Sequence, residues 1–388
     1  MKKELLKKVK AEVKSVEKDV IEWRRYFHRY PELGFKEYKT SDKIITILQK
    51  AGIPFETKAK TGVVGYLNTG AKTTIGLRAD MDALPVEEKT GLPFSSKHKG
   101  IMHACGHDGH TAVLLGVARV LKKLEKFLNV NVKLIFQPSE ENPPGGATVM
   151  IKEGVLEGID YLLGFHFFPQ LPLYKMWIGK GPVMASTDYF KIIVEGKGGH
   201  GSSPHLTTDP VVCAGFLITG FQSILSRAIN PIDSAVVSVC SVKGGDAFNV
   251  IPETVELTGT VRTLKEEVRG RIIREIEKKT YSICEGYGCK ADIAYKNYSP
   301  LCVNDSGLSE KVCRIAKEMD FSKNIIDFHP IMGGEDFAFF SQKVPSTYLF
   351  IGIGDKYGPN HSPTFSIDER VLPYTVYFFS SLILDFSK

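Results

Sequence analysis

The 388-residue sequence lacks long hydrophobic runs and an excess of one charge. None of its apolar stretches approaches the roughly 18 uninterrupted residues of a membrane span, and its Met-Lys-Lys-Glu start is not followed by the apolar core of a signal peptide. The 50 Lys and Arg residues nearly balance the 44 Asp and Glu residues, leaving a formal net charge of +6. This balance does not predict a nucleic-acid-binding arm. We therefore expect a cytoplasmic protein without a membrane or nucleic-acid partner.

Paired cysteines are also lacking. The seven cysteines form an odd set without paired spacing, which is typical of free thiols in a reducing compartment and argues against a disulfide framework. Hydrophobic residues make up 43% of the chain and charged residues 24%, as in ordinary globular proteins, so disordered and fibrous classes are excluded. The length is sufficient for two domains.

Apolar strands alternate with helices and predict an α/β fold. The spacing of apolar residues predicts a first helix over 3–30, ended by Pro31. The predicted strands are 63–67, 73–77, 130–136, 161–165 and 347–353. Polar groups follow them: Asp80 and Asp82, Glu140 and Glu141, His166, and His361. Because functional groups of open α/β sheets lie at the carboxyl ends of the strands, we expect these side chains to meet.

A second pattern interrupts the first between residues 188 and 297. Strands and helices there follow the order βαββαβ, the ferredoxin-like unit. The polar strand ends lie on both sides of this stretch, so it is predicted to be an insertion. We predict one domain of residues 1–186 and 298–388, and an inserted domain of residues 187–297. Closure on substrate binding is expected at hinges near 185–186 and 299–300.

Residues 102–110 are the densest group of metal-binding side chains. They hold Cys105 and three of the ten histidines, and Gly106 permits the tight backbone that lets Cys105 and His107 converge. Thiolate and imidazole suit zinc and its neighbours, so this stretch predicts a metal centre. The alternative is the start of a helix, running over 111–128, whose histidines are solvated or packed in the core.

The candidate donors outnumber the needs of one ion. They are Cys105, His107, Glu141, His166 and His361. Five donors exceed one tetrahedral zinc, whereas a pair of metals with a bridge would use them all. One of Glu140 and Glu141 can bind metal while the other acts as base, although the pair taken alone is more typical of a solvated loop. Asp80 or Asp82 could orient a metal-binding side chain by a hydrogen bond, without binding the metal itself.

Four motifs resemble a known family. They are RADMDALP at 78–85, HACGHDGHT at 103–111, QPSEE at 137–141 and MGGEDF at 332–337. Together they resemble the aminoacylase/carboxypeptidase metallohydrolases, in the branch of hippurate hydrolases, indole-acetyl-amino-acid hydrolases and N-acyl-amino-acid amidohydrolases. The resemblance extends over essentially the whole chain. It implies a zinc-peptidase-like α/β domain, with a mixed sheet and flanking helices, and an inserted lid and dimerisation domain.

The resemblance also implies roles for residues. Two divalent ions, zinc or alternatively manganese, cobalt or nickel, would be held by the five donors already named, with Glu140 as general base towards a metal-activated water. His200 would polarise the scissile carbonyl, and Asn249, Arg262 and Gly333 would contact the substrate. Ser139 stands where many members have alanine. A homodimer or a higher homo-oligomer is expected.

The sequence therefore predicts an amidohydrolase for N-acyl-L-amino acids, for C-terminal residues of short peptides, or for both. An N-acetyl-diaminopimelate deacetylase is an alternative within the class. Two other classes stay open: a non-catalytic peptide- or metal-binding relative, and an amidase with Cys105 as nucleophile. Retention of Glu140 argues against a pure binder, because binding needs no base beside the ligands.

Overall fold

The computed structural model describes residues 2–143 and 145–386. It divides into two compact units: Met1–Gly181, Val303–His329 and Asp336–Lys388 form the first, and Pro182–Cys302 with Pro330–Glu335 form the second. The division falls a few residues outside the predicted boundaries. In addition, 330–335, which were predicted in the first domain, belong to the second unit. The reason is backbone pairing, since Ala185 N donates to the carbonyl oxygens of Ile331 and Gly333 at 3.2 and 3.0 Å.

The secondary structure alternates along the chain. The helices are α1 (Lys2–Arg29), α2 (Tyr38–Lys50), α3 (His107–Lys123), α4 (Gly146–Lys152), α5 (Pro210–Ser223), α6 (Glu266–Gly286), α7 (Ser306–Ala316), α8 (Phe337–Ser341) and α9 (Val371–Asp385). The strands are β1 (Phe55–Lys58), β2 (Gly62–Leu67), β3 (Thr74–Asp80), β4 (Asn131–Gln137), β5 (Tyr161–Phe168), β6 (Met176–Trp177), β7 (Gly181–Met184), β8 (Ser186–Glu195), β9 (Gly199–His200), β10 (Ala235–Lys243), β11 (Val250–Ile251), β12 (Thr254–Thr263), β13 (Lys290–Ser299), β14 (Cys302–Asn304), β15 (Ile325–Ile326) and β16 (Ser346–Gly352).

A mixed sheet organises the first unit, in the order β1-β2-β4-β3-β5-β16-β6-β15. Its centre is parallel, since β3 pairs in parallel with β4 and β5, and β5 with β16. The outer strands β1, β2 and β6 pair antiparallel. The parallel strands therefore all end on the same edge, as expected from the sequence.

Helices cover the central strands on both faces, which explains their nearly continuous apolar sequences. Leu77, Phe165 and Leu349 belong to one core with α1, α3 and α9. On the opposite face, Gly164 leaves room for the rings of Phe337 and Tyr348. The predicted α/β class with a mixed sheet and flanking helices is confirmed.

Two element boundaries differ from the prediction. Helix α3 begins at His107 rather than Thr111, because Gly106 adopts a left-handed φ of 92° that turns the chain directly into the helix. Strand β5 continues to Phe168, so His166 lies within the strand and not after it. Its backbone there pairs with Phe350 of β16.

The second unit has a four-stranded antiparallel sheet in the order β10-β12-β8-β13, with α5 and α6 packed against it. Its strands and helices follow the predicted βαββαβ order. The buried Arg269 Nε donates to Asp188 Oδ2 at 2.8 Å, and the Tyr295 hydroxyl donates to the same oxygen at 2.9 Å. This network ties α6 to β8 and β13 through a paired charge.

One helix of the described chain, Pro210–Ala228, is long and apolar enough to cross a membrane by length and hydropathy alone. It comprises α5 and a π-helical turn, Ile224–Ala228. Cys213, Leu217 and Phe221 bury one side of it in the core of the second unit. A single helix of this kind is weak evidence for a membrane span. All seven cysteines are free thiols, as expected from their unpaired spacing.

Candidate metal centre

His107 lies at the first position of α3, with its ring orientation set by Asp82. Its Nδ1 is 2.9 Å from the carbonyl oxygen of Asp82 and 3.1 Å from Oδ1 of the same residue. Both are acceptors, so Nδ1 carries the proton and donates, and Nε2 presents its lone pair. That Nε2 is buried without a hydrogen-bond partner. Asp82 thus orients the ring of His107.

His166 faces the same place from β5. Its Nδ1 donates to the carbonyl oxygen of Phe167 at 2.7 Å, which leaves Nε2 directed at Cys105, 3.3 Å from Sγ. Burial, followed by the neighbouring His110, holds the pKa of His166 well below its ordinary value. The ring is therefore neutral, the form in which imidazole binds metals.

Glu141 and His361 complete the group from the other side. Glu141 Oε1 lies 3.3 Å from His361 Nε2 and 3.9 Å from His107 Nε2. The backbone of His361 has a φ of 65° and donates to the carbonyl oxygen of Ala104 at 2.7 Å. The nearby Cys105 thiol and Glu141 carboxylate raise the pKa of His361 to about 10. The groups on this side of the site therefore favour a positive charge at His361.

The donor atoms form overlapping groups. Those of Cys105, His107 and His166 lie within 4.8 Å of one another, and so do those of Cys105, Glu141 and His361. Cys105 is common to both groups. Like His107 Nε2, Glu141 Oε1 is buried without a hydrogen-bond partner. Such orphaned atoms are costly unless something binds them, so the donor set fits cations.

Asp80 supports the site through His110. The backbone N–H of Phe167 donates to His110 Nε2 at 3.0 Å, so His110 Nδ1 carries the proton and donates to Asp80 Oδ1 at 2.6 Å. Arg78 Nη1 donates to the other oxygen at 2.7 Å. Burial opposes ionisation of Asp80, but its interactions with His107, His110 and Arg78 outweigh burial and hold the pKa of Asp80 well below the usual range.

Glu140 adjoins the donors without being in either group that contains Cys105. It is within 4.8 Å of ligand atoms of His107 and Glu141. Its Oε1 accepts a hydrogen bond from the backbone N–H of Asp336 at 3.4 Å. Asp336 is itself held by Arg78, whose Nη2 donates to it at 2.8 Å. The Glu140 carboxylate is thus oriented beside the donor cluster, partly open to solvent.

In the second unit, the structure brings His200 and Asn249 together. Strands β9 and β11 pair His200 with Val250, and Gly201 N donates to the carbonyl oxygen of Asn249 at 2.8 Å. Ser202 N donates to His200 Nδ1 at 3.1 Å. His200 and Asn249 are both exposed. His200 Nε2 is therefore the nitrogen that remains for a ligand.

Arg262 lies on β12 opposite Thr187 of β8. Its Nη1 and the Thr187 hydroxyl are buried without hydrogen-bond partners. A Cβ on Gly334 would lie 2.0 Å from Thr187 Oγ1, so only glycine fits beside these two polar groups. Gly333, predicted to contact substrate, directly precedes it. An unsatisfied guanidinium N–H is suited to a carboxylate ligand.

Sequence reasoning left several supporting residues without roles. Asn360 Nδ2 lies 3.5 Å from Cys105 Sγ, and Gln137 Nε2 donates to Asp336 at 2.7 Å. Asp108 accepts from His28 Nδ1 and from Arg24 Nε, both at 2.8 Å. Several of these lie inside the recognised motifs, which is the signal that pointed to them. Arg24 and His28, on α1, carry no local signal.

Comparison with known proteins gives consistent relatives. The chain is 41% identical to thermostable carboxypeptidase 1 of Saccharolobus solfataricus, covering 99% of this chain and 100% of that protein. It is 41% identical to N-acetyl-L-cysteine deacetylase of Bacillus subtilis, covering 94% and 87%. It is 38% identical to IAA-amino acid hydrolase ILR1-like 4 of Arabidopsis thaliana, covering 92% and 84%.

Solved structures agree with these relatives. A putative aminohydrolase from methicillin-resistant Staphylococcus aureus is 36% identical, with a TM-score of 0.91 over 98% of this chain and 100% of that chain. Bacillus subtilis YXEP, described as a dinuclear metal-binding peptidase from the M20 family, is 34% identical, with a TM-score of 0.85 over 96% and 98%. The model of peptidase family M20/M25/M40 matches residues 76–385. The chain therefore belongs to peptidase family M20/M25/M40, which confirms the resemblance seen in its motifs.

Proposed function

We propose that this protein is a metal-dependent amidohydrolase that removes the acyl group from N-acyl-L-amino acids and the C-terminal residue from short peptides. Both reactions cleave an amide bond next to a free α-carboxylate. The observation that carries the proposal is the cluster of Cys105, His107, Glu141, His166 and His361 donor atoms, with Glu140 beside it. The relatives named carboxypeptidase, deacetylase and amino acid hydrolase support this substrate class.

The five donors would hold two divalent cations, since their ligand atoms lie in groups close enough to bind such ions. Zinc suits the thiolate and imidazole donors best, with manganese, cobalt or nickel as alternatives. When bound, the cations lower the pKa of a water towards about 7 and polarise a carbonyl oxygen.

Glu140 acts as general base in this proposal. Its carboxylate takes the proton of the attacking water and passes a proton to the leaving amine. The hydrogen bond from the Asp336 N–H supports this role, because it orients the Glu140 carboxylate beside the donor atoms. Glu141, whose Oε1 is buried without a hydrogen-bond partner, is suited to bind metal instead.

The second unit would supply the substrate contacts. Arg262 would bind the α-carboxylate through its unpaired Nη1, beside Gly333 and Gly334. His200 Nε2 and Asn249 would donate to the oxygen that becomes negative during attack. As part of the same proposal, the second unit acts as a lid that closes on substrate binding.

We also propose a cytoplasmic homodimer. Val211, Val212 and Phe216 on α5 are each about half exposed, and Phe216 stacks on Tyr287 with ring centroids 5.0 Å apart. An apolar patch of this kind is typical of an interface. Light scattering on the eluting protein should give a dimer mass for the wild type and a monomer mass for Phe216→Glu; a dimeric variant would contradict the assignment of this face.

The decisive experiment measures free amine released from a panel of N-acyl-amino acids and short peptides. Metal-stripped protein should be inactive, and added zinc, manganese or cobalt should restore activity. Glu140→Gln should lower kcat by about 10²- to 10⁴-fold while metal content stays unchanged. Glu267→Gln, an exposed carboxylate on α6, is the matched control.

The rival classes give different outcomes. A Cys105 nucleophile predicts loss of activity on thiol alkylation and indifference to chelator. A non-catalytic binder predicts metal binding without amine release from any substrate. Undiminished hydrolysis by the Glu140→Gln variant would show that Glu140 is not the general base.

A further inference from the structure

Ser139, which directly precedes Glu140 and Glu141, has a strained backbone. Its φ is 48°, in the left-handed region that non-glycine residues rarely adopt. Such a conformation persists only where the surroundings enforce it. No hydrogen bond of the Ser139 side chain holds this backbone conformation, since Oγ is buried without a hydrogen-bond partner. The backbone contacts of Ser139 must therefore hold it.

Glu37 provides the contact to the Ser139 N–H. Its side chain is fully buried, and Oε1 accepts from Ser139 N at 2.9 Å, while Oε2 accepts from the Thr61 hydroxyl at 2.6 Å. A hydrogen bond to a buried carboxylate is among the stronger kinds. The two oxygens thus join the turn before β2 to the loop after β4.

Glu37 occupies the N-cap of α2, yet it does not cap that helix. The capping acceptor is Glu32, whose Oε1 and Oε2 accept from Lys39 N at 3.2 Å and Thr40 N at 2.9 Å. A residue at this position ordinarily turns its side chain to the helix N–H groups. Here a separate carboxylate performs that task, and Glu37 is directed inward to Ser139.

Two glycines allow the loop to be held this closely. A Cβ on Gly34 would lie 2.5 Å from Ser139 Oγ and 2.9 Å from its Cβ. A Cβ on Gly146 would lie 1.7 Å from the carbonyl oxygen of Pro138. Gly146 N also donates to the carbonyl oxygen of Ser139 at 2.7 Å. Both polar backbone groups of Ser139 are therefore engaged.

We propose that Glu37 is a positioning residue for the metal centre: its carboxyl group holds the Ser139 N–H and so sets the direction of Glu140 and Glu141. The inference rests on the proposed roles of those two glutamates. Glu141 lies two residues after Ser139, and its own N–H donates to Asp82 Oδ2 at 3.1 Å. A rotation of the backbone at Ser139 would break this hydrogen bond and move Glu141 Oε1 away from His107 and His361.

The test compares Glu37→Ala with Glu37→Gln, which keeps an acceptor for the Ser139 N–H. Metal affinity is measured by competition with a chromophoric chelator, and kcat and KM are measured on metal-saturated protein. For Glu37→Ala we expect metal affinity and kcat each to fall by about 10- to 100-fold, with KM within about twofold of wild type. Glu37→Gln should retain most of both.

Two further variants separate positioning from general stability. Thr61→Val removes the other hydrogen bond of Glu37 and should leave metal affinity and kcat nearly unchanged. A glycine at position 139 adopts the left-handed conformation without strain. Glu37→Ala should therefore lower metal affinity and kcat less in the Ser139→Gly background than in the wild type. If Glu37→Ala does not fold, Glu37→Asp, which retracts the carboxylate from Ser139, should show the same losses.

The inference is overturned if Glu37→Ala retains wild-type metal affinity and kcat, if Thr61→Val loses as much as Glu37→Ala, or if the Ser139→Gly background changes nothing. A wild-type protein without amidase activity would refute the proposed function, whereas the comparison of metal affinities would still test the position of Glu141.

Discussion

The candidate functional groups of the two units differ in how they are held. In the first unit, His107 and His166 are buried, and each has one ring nitrogen fixed by a backbone carbonyl oxygen. In the second unit, His200 and Asn249 are exposed, and His200 contacts a neighbouring serine. The first set is oriented by the fold itself, whereas the second has freedom that a bound substrate must remove.

The two ways of holding functional groups have different consequences for the entropy of binding and for substrate selection. Orienting groups in advance saves entropy on binding and suits metal ligands, whose geometry must be complete before the reaction. Groups that are ordered only with substrate can select among substrates. Substitutions in the first unit should therefore affect metal binding, and substitutions in the second unit should affect catalysis or substrate affinity with the metals retained.

The largest effect is expected from His166→Ala. Loss of a ligand should reduce bound metal and lower kcat/KM by about 10³-fold or more, because the cations contribute several kcal/mol to the transition state. Elemental analysis and amine release measure the two quantities. His329→Ala, an exposed histidine of the same unit, should match the wild type. Full metal content in the His166 variant would contradict its assignment as a ligand.

His200→Ala should sharpen the contrast between the units. Loss of one donor to the developing negative charge is expected to lower kcat by about 10²- to 10³-fold with metal content unchanged. The neighbouring exposed His205→Ala is the control. Equal kcat values for the two variants would show that His200 has no special contact with the reacting oxygen.

Arg262→Ala should act on substrate affinity. Hydrogen bonds to charged groups contribute about 1.5–3 kcal/mol, so KM for substrates with a free carboxylate should rise by about 10- to 100-fold. The matching substrate amides, which lack the charge, should show little change. Arg271→Ala, exposed on α6, serves as control. A rise of the same size for the amides would indicate a structural effect instead.

The smallest effect concerns stability and pH. Burial, with a contribution from Asp82, raises the pKa of Glu37 from 4.5 to about 7. A raised carboxyl pKa favours folding below the unfolded value and loses that contribution as pH rises through about 7. Metal-free wild type should therefore lose about 1 kcal/mol of stability, relative to Glu37→Gln, between about pH 6 and about pH 8. Denaturant unfolding at both values checks this; parallel pH dependence in the two proteins would contradict it.

Much of the fold could be predicted because its signals are local. The apolar runs of β4 and β16 and the period of α1 identify the elements, and the ends of parallel strands must share an edge. His110 lies in the first turn of α3, beside the candidate metal ligands. Its partner Asp80 was expected to orient a ligand, and it is within 3.7 Å of His107 Nε2.

Other features have no local signal. The Glu37–Ser139 contact joins residues separated by 102 positions, and neither residue type predicts it. The membership of Pro330–Glu335 in the second unit depends on backbone pairing with Ala185, which any residues can form. The exposed apolar face of α5 was not anticipated, because its sequence is apolar on nearly all sides.

By itself, the sequence determined the classes of element, the donor types and the family, because periodicity, ligand chemistry and motif spacing are written in neighbouring residues. Only the tertiary structure decided which nitrogen of each histidine is available, which loop conformation carries Glu140 and Glu141, and which buried atoms lack partners. These depend on hydrogen bonds between residues distant in sequence, since a buried polar group takes its geometry from whatever the fold brings beside it.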